Sequence, residues 1–222
     1  MATMRCDHPD IEAFIEAKKD PLRLRMFNLS VLVTDAFMTA VKEDAMWNLH
    51  FTNRHGERRV YKTVRAKDLW TQIMRNTYEG AEPGVIFIDR INKQNNLWYM
   101  ETIAATNPCG EQPLPPYGAC LLGSLNLAKF VINPFTPAAD MAPKALKAAI
   151  KSAVRLLDSV IDISLFPIPE QKAEAKAKRR MGIGVTGLAD MLLMLNIVYG
   201  SDKAVKLTEQ IMKDLTIAAY EE

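Results

Sequence analysis

The segment Thr106-Asn107-Pro108-Cys109-Gly110-Glu111-Gln112-Pro113-Leu114-Pro115-Pro116-Tyr117-Gly118-Ala119-Cys120 carries four prolines in fifteen residues. Each proline removes a backbone donor and fixes φ, so neither a helix interior nor a central strand runs through it, and the segment reads as a constrained loop. A residue before proline is biased toward extended backbone, which extends Asn107 and Gln112. With an extended tip, Asn107, Cys109 and Glu111 follow the two-residue period and point to one side. An amide, a thiol and a carboxylate then share one small surface, while Pro108 and Gly110 turn the other way with too little bulk to keep the tip out of a cavity. The competing reading is a proline-rich surface loop whose cysteine is a small, inert hydrophobe. Cys120, a second thiol where the loop runs into the apolar segment from Leu121, favours redox chemistry.

The flanks read as alternating strands and helices. Residues 28–33 form a short apolar run followed by Thr34-Asp35 and the helical pattern Phe37, Met38, Val41, which is the strand, cap and helix of a parallel α/β sheet. Before it, residues 1–6 read as a strand, and Asp7 or His8 caps a helix with Pro9 in its first turn and Ile11, Phe14 and Ile15 on its apolar face. Residues 46–51 and 58–64 flank Asn53-Arg54-His55-Gly56 as a β-hairpin, on which His50 and His55 read as solvated side chains. Residues 66–78 are amphipathic and 84–88 form a buried-strand candidate. Trp98 and Tyr99, on the approach to the loop, could contact a nucleotide but read first as packing anchors.

Beyond the loop, residues 121–131 read as strand. Residues 143–163 read as a long helix with Leu146, Ile150, Val154, Leu157 and Ile161 on one face, ended near Pro167 and Pro169. Residues 172–180 are a basic, Ala-rich helical run with the character of a solvated face. Gly182-Ile183-Gly184-Val185-Thr186-Gly187 is a literal G-x-G-x-x-G. A dinucleotide turn needs a hydrophobic strand before it and an acidic residue closing a second strand about twenty positions on. Here basic residues precede it and Asp202 opens a helix, so the glycines are expected to allow close approach of a strand and the helix at 188–195. Residues 202–222 are amphipathic with no cap beyond, and the chain is expected to end inside a helix, just as the strand at its start is expected to continue something upstream.

Composition sets outer bounds. With 222 residues, 49% hydrophobic, 24% charged and a net charge of +2, the chain falls in the soluble globular class, with no imbalance that points to nucleic acid or membrane. No apolar run of about 18 residues is available to span a bilayer, and residues 1–6 are too short and lightly charged to open a signal peptide. Three cysteines without dense spacing fit a reducing cytoplasm. Cys6-Asp7-His8 lacks a second ligand pair at zinc spacing, so no metal site is expected.

Asn107-Pro108-Cys109-Gly110-Glu111-Gln112-Pro113-Leu114, followed by Cys120-Leu121-Leu122-Gly123-Ser124-Leu125-Asn126-Leu127, resembles the finger loop of the ribonucleotide reductase catalytic subunit, most of all its adenosylcobalamin-dependent class. Residues 1–18, 28–37 and 179–193 agree with the same family in the same order. The resemblance implies that residues 1–222 are one partial domain of a ten-stranded α/β barrel with the finger loop at its centre. It also implies a central fragment lacking the family's N- and C-terminal portions, and therefore inactive alone. Carried over, it makes Cys109 the thiyl radical that takes the 3′ hydrogen atom of the ribose. Glu111 becomes the base on the 3′ hydroxyl, Asn107 the residue holding the ribose hydroxyls, and Cys120 one half of the dithiol that delivers electrons as the 2′ hydroxyl leaves as water. A positioned carboxylate base contributes about 10²–10⁴-fold. The implied cofactor is adenosylcobalamin, or else a radical from a separate metal-containing subunit. The implied partners are a ribonucleoside di- or triphosphate, a thioredoxin-like or dithiol reductant, the rest of the catalytic subunit and a second copy of it. Two other readings stand beside this one: a non-catalytic remnant or split-gene piece needing a second polypeptide, and an unrelated nucleotide-binding oxidoreductase.

Overall fold

The run Leu29-Ser30-Val31-Leu32-Val33 is almost wholly apolar, the pattern of a parallel strand covered on both faces. In the computed structural model, which describes residues 1–20 and 22–222, it is the middle strand of a three-stranded parallel sheet. β1 (Ala2–Arg5) leads into α1 (Ile11–Glu16), and β2 (Leu29–Val33) into α2 (Asp35–Lys42). The chain continues through the hairpin strands β3 (Met46–Thr52) and β4 (Arg58–Arg65), then α3 (Ala66–Gly80), β5 (Gly84–Phe87) and α4 (Ile88–Lys93). β2 pairs with β1 on one side, Met4 opposite Val31, and with β5 on the other, Val31 opposite Val85. All five residues of β2 are buried.

Helix α2 starts where the sequence marks it: the Thr34 hydroxyl accepts from the Phe37 N–H at 3.1 Å, and Asp35 sits in the positive first turn. Phe37 is fully buried and packs edge-on to Trp47 with ring centroids 5.2 Å apart, and Ile11, Ile15, Leu49, Leu69 and Ile73 close the same core. Cys6, just past β1, is completely buried there, and loss of hydration pushes its thiol up to about 11.

Two expectations fail in this region. Helix α1 is capped by neither Asp7 nor His8, for its N-cap is Asp10 and its first residue Ile11. Asp7 is committed elsewhere: buried at 7% exposure, it accepts a fork from Arg5 at 2.9 and 2.5 Å and faces the His50 Nε2 at 3.2 Å. His50 is thus an inward, carboxylate-paired side chain rather than a solvated one, because the β3–β4 register shift between Leu49 and His50 accompanies its seating on Asp7.

The described residues divide into two compact units, Met1–Pro116 and Tyr117–Glu222. The first ends with the short strands β6 (Ala105–Thr106) and β7 (Pro113–Leu114). The second begins with β8 (Leu121–Asn126), which ends earlier than the apolar run suggested, since the Asn126 side chain accepts from the Ala128 N–H at 3.1 Å and starts a 3₁₀ turn over Leu127–Phe130. β9 (Val131–Ile132) and β10 (Asp140–Met141) pair antiparallel before the long helix α5 (Pro143–Ile163). Then follow α6 (Pro169–Lys178), β11 (Met181–Thr186), α7 (Leu188–Met194) and α8 (Asp202–Glu221). β11 lies parallel to β8, Val185 opposite Leu125, and Leu146, Ile150, Ile211 and Leu215 form the core of this unit.

The G-x-G-x-x-G is not a phosphate turn, because its first five residues lie inside strand β11. Of its glycines, Gly187 serves the expected close approach of a strand and the following helix, whereas Gly184 lets two strands approach. A Cβ on Gly184 would stand 3.4 Å from the Ser124 hydroxyl on the neighbouring strand. Gly187, at φ +69, caps α7, and a Cβ there would lie 2.3 Å from the Asn126 side-chain oxygen, so both space and backbone demand glycine. The basic run is also not simply solvated. Arg179 donates to Asp158 at 2.6 Å and to Asp162 at 3.0 Å, and Lys176 joins Asp162 at 2.8 Å, so its cations pin α6 to α5. These donors hold both carboxyls below the usual carboxylate range.

The molecule is therefore mixed α/β. Among the described residues the strands make one three-stranded and four two-stranded sheets, none closed on itself. Among the same residues no helix is long and apolar enough to cross a membrane.

Candidate active site

The proline-rich segment forms a hairpin. Ala105 pairs with Leu114 and Thr106 with Pro113, an antiparallel ladder two pairs long that tolerates Pro113 because the strand is an edge. The ladder is closed below by the Ala104 N–H on the Leu114 carbonyl at 3.0 Å and above by the Asn107 N–H on the Gln112 carbonyl at 3.2 Å. The tip is then only six residues, 107–112.

This shortness overturns the extended tip. A chain that reverses between Thr106 and Pro113 must turn, and it does so where Gly110 permits it: φ at Gly110 is +84, and its N–H donates to the Asn107 carbonyl at 3.0 Å. No atom lies within 4 Å of a Cβ built on Gly110, so the glycine answers to backbone conformation and not to crowding. Asn107 and Glu111 come together all the same, by a route the strand period did not give. The Asn107 side-chain nitrogen donates to the Glu111 carboxylate, and the Asn107 side-chain oxygen accepts from the Gln112 N–H at 3.0 Å. Cys109 sits between them along the turn with its thiol exposed.

Cys120 belongs to the second unit. It is half-buried, immediately before β8, where the Leu121 N–H donates to the Arg180 carbonyl at 3.2 Å, and its Sγ lies 3.7 Å from the Leu121 carbonyl oxygen. With Leu121, Ile161, Phe166 and Arg180 it lines a cavity of about 20 Å³, room for roughly one water molecule.

Trp98 and Tyr99 are not packing anchors: they are 73% and 66% exposed and meet each other edge to face at 6.1 Å. Sequence reasoning gave Asp7 to a helix cap and missed its burial, whose signal was an acid two residues after the arginine that ends β1. It also missed Asn28, whose side-chain amide reaches the Pro108 carbonyl at 3.2 Å and which no local pattern marks. Among the described residues no cluster of three or more His, Cys, Asp or Glu side chains is placed to hold a metal ion.

This geometry can be set beside known proteins. A family model described as "Ribonucleotide reductase, barrel domain" matches residues 1–222. The chain is 40% identical over 221 residues to a vitamin B12-dependent ribonucleoside-diphosphate reductase of Mycobacterium tuberculosis, covering 99% of this chain and 31% of that protein. It is 38% identical over 213 residues to a protein of the same name from Thermoplasma acidophilum, covering 96% of this chain and 27% of that one. The large subunit of the Monkeypox virus ribonucleoside-diphosphate reductase is 31% identical over 238 residues, with 96% of this chain and 31% of that one covered. The chain thus spans about 30% of the length of these relatives.

Proposed function

The chain belongs to the ribonucleotide reductase barrel-domain family, and from that we propose that its hairpin is the radical-bearing tip of a catalytic subunit that reduces ribonucleotides to deoxyribonucleotides. The observation that carries this reading is the tip itself: an exposed thiol at Cys109 on a turn whose neighbours Asn107 and Glu111 already pair amide with carboxylate. In the proposed reaction the Cys109 sulfur radical takes the 3′ hydrogen atom of the ribose and becomes a thiol, leaving a carbon radical on the sugar. Glu111 accepts the proton of the 3′ hydroxyl, displacing the Asn107 amide, which is then released to hold the sugar hydroxyls. The 2′ hydroxyl leaves as water, its replacement by hydrogen drawing two electrons and two protons from a dithiol that closes to a disulfide, with Cys120 as one of its sulfurs; the Cys109 thiol then gives its hydrogen atom back to the 3′ carbon and Glu111 its proton to the 3′ oxygen, which regenerates the sulfur radical.

The radical source is proposed as adenosylcobalamin, supported by the names of the relatives at 38–40% identity. That cofactor supplies, when bound, the oxidising equivalent that converts the Cys109 thiol to its radical. An exposed thiol with open space beside Gly110 fits a radical generator that must come within reach of the sulfur. The chain's own contribution is to hold that thiol, the base and the amide in one turn, while the remainder of a ten-stranded barrel, with residues 1–222 as one partial domain, shuts water out. The nucleotide is a ribonucleoside diphosphate or triphosphate. The reductant that reopens the disulfide is a thioredoxin-like or other dithiol, and the assembled enzyme is a cytoplasmic homodimer.

The test uses the complete reductase with Cys120→Ser. Given adenosylcobalamin and no second subunit, the variant still breaks the 3′ carbon–hydrogen bond but, lacking its electron donor, releases free base and damaged sugar in place of deoxyribonucleotide. Normal deoxyribonucleotide from this variant would remove Cys120 from the reaction. A requirement for a metal-containing partner subunit would overturn the cobalamin assignment.

A further inference from the structure

The rising limb of the hairpin is tied to one end of the parallel sheet at every second residue. The Thr3 hydroxyl donates to the Ala104 carbonyl at 3.5 Å, the Thr106 hydroxyl, 2.9 Å from the Asn107 carbonyl, also lies 3.3 Å from the Met1 sulfur, and the Asn28 side-chain amide donates to the Pro108 carbonyl at 3.2 Å. Ala104, Thr106 and Pro108 all meet one end of the sheet, because the Ala2 N–H donates to the Asn28 carbonyl at 2.8 Å and so sets Asn28 beside Met1 and Thr3. Of these ties, the one at Pro108 reaches the tip itself, on the residue directly before the exposed thiol. The other tip bonds described above, among Asn107, Gly110, Glu111 and Gln112, are internal to it, so the Asn28 contact ties the closed turn they make to the sheet and favours it over the open one.

Asn28 immediately precedes β2, whose five residues are all buried and whose Ser30, Val31 and Leu32 are paired on both sides, so the contact is anchored on the middle strand of the sheet. Its backbone carbonyl belongs to the sheet and its side chain to the hairpin. We propose that Asn28 is a positioning residue: its amide holds the Pro108 carbonyl and thereby fixes the Cys109 turn relative to the sheet. The inference deepens the reading of Cys109 as the reactive thiol, but the contact itself does not depend on that reading.

An exposed neutral hydrogen bond shifts a local equilibrium by about five- to tenfold. That shift is readable in the free chain as amide exchange, since opening of the turn frees the Gly110 and Gln112 N–H groups. The experiment measures exchange of these amides and of the Val31 and Leu32 amides in the full chain, for Asn28→Ala, Asn28→Asp and Asn28→Gln. Asn28→Asp keeps the shape and loses the donor, whereas Asn28→Gln keeps a donor on a longer arm. The expected result is about five- to tenfold faster exchange at Gly110 and Gln112 in the Ala and Asp variants, at least partial recovery in Gln, and no change at Val31 or Leu32. Equal acceleration at Val31 and Leu32 would make Asn28 merely part of the strand and overturn the proposal, as would unchanged exchange at Gly110 and Gln112. No substrate or cofactor enters the measurement, so its failure leaves the proposed reaction standing, and failure of the reaction leaves this contact standing.

Discussion

Strand β2 buries every one of its side chains, whereas the hairpin tip exposes Pro108, Cys109, Gly110 and Glu111. The same contrast runs through two thiols of one unit. Cys6 lies against Phe37 and Trp47 in the core and is held protonated by loss of hydration, while Cys109 stands in solvent on a turn. What separates a buried from an exposed cysteine here is the backbone around it. A strand end delivers a side chain into a core, and a six-residue reversal with a left-handed glycine delivers one outward. Stability is therefore expected to reside in the sheet and its helices, and reactivity in the tip.

That division can be broken by substitutions ranked by expected cost. Phe37→Ala, deep in the core of the first unit, should destabilise by about 3–5 kcal/mol, read as a fall in the denaturant midpoint. A loss under about 1 kcal/mol would mean the core closes without it. The buried thiol comes next. Its folded-state proton affinity is raised, so its contribution is complete below the unfolded thiol range and is lost as pH climbs toward about 11. Between pH about 9 and 11 the parent chain should lose on the order of 2 kcal/mol more than Cys6→Ala, seen as a difference in chemical denaturation. Parallel pH curves for the two would contradict the burial of Cys6.

Smaller still is Arg179→Gln, which removes the cation shared by Asp158 and Asp162 on the solvent side of α5. These carboxyls have lowered proton affinity when folded, so the contribution is present above the ordinary carboxylate range and fades as pH falls below it. The melting temperature of Arg179→Gln should lie slightly below the parent at pH 7 and converge with it in acid. Persistence of the difference in acid would show that packing of the arginine stem, and not its charge, holds α6. Last in this series, Cys109→Ser should leave stability within about 0.5 kcal/mol, because nothing packs on an exposed turn.

The elements that proved legible were those with long or clean patterns. The helix Pro143–Ile163 was readable to its ends from its apolar stripe and bounding prolines, and β2 with the Thr34 cap from a βα signature. The misreadings share a cause, which is that local pattern cannot name a distant partner. His50 reads as solvated from its hairpin alone, but Asp7, far back in the chain, faces it. Arg179 looked like one of many surface cations until Asp158 and Asp162 on α5 were seen to meet it. The tip was read as extended from its prolines, and the actual turn depends on Thr106 pairing with Pro113, a cross-strand fact. The juxtaposition of Asn107 and Glu111 survived that error, since the two side chains meet by either geometry.

The central claim is that Cys109 begins the chemistry, and the most direct test follows the first bond to break. The complete reductase, parent and Cys109→Ser, is supplied with adenosylcobalamin, a dithiol and a ribonucleotide tritiated at the 3′ position, and tritium release to solvent is measured beside the melting curve. The account predicts that Cys109→Ser melts with the parent and releases no tritium above the protein-free control. Glu111→Gln, lacking the base, should release it about 10²–10⁴-fold more slowly. A well-folded Cys109→Ser protein that still releases the 3′ tritium would contradict the account at its centre.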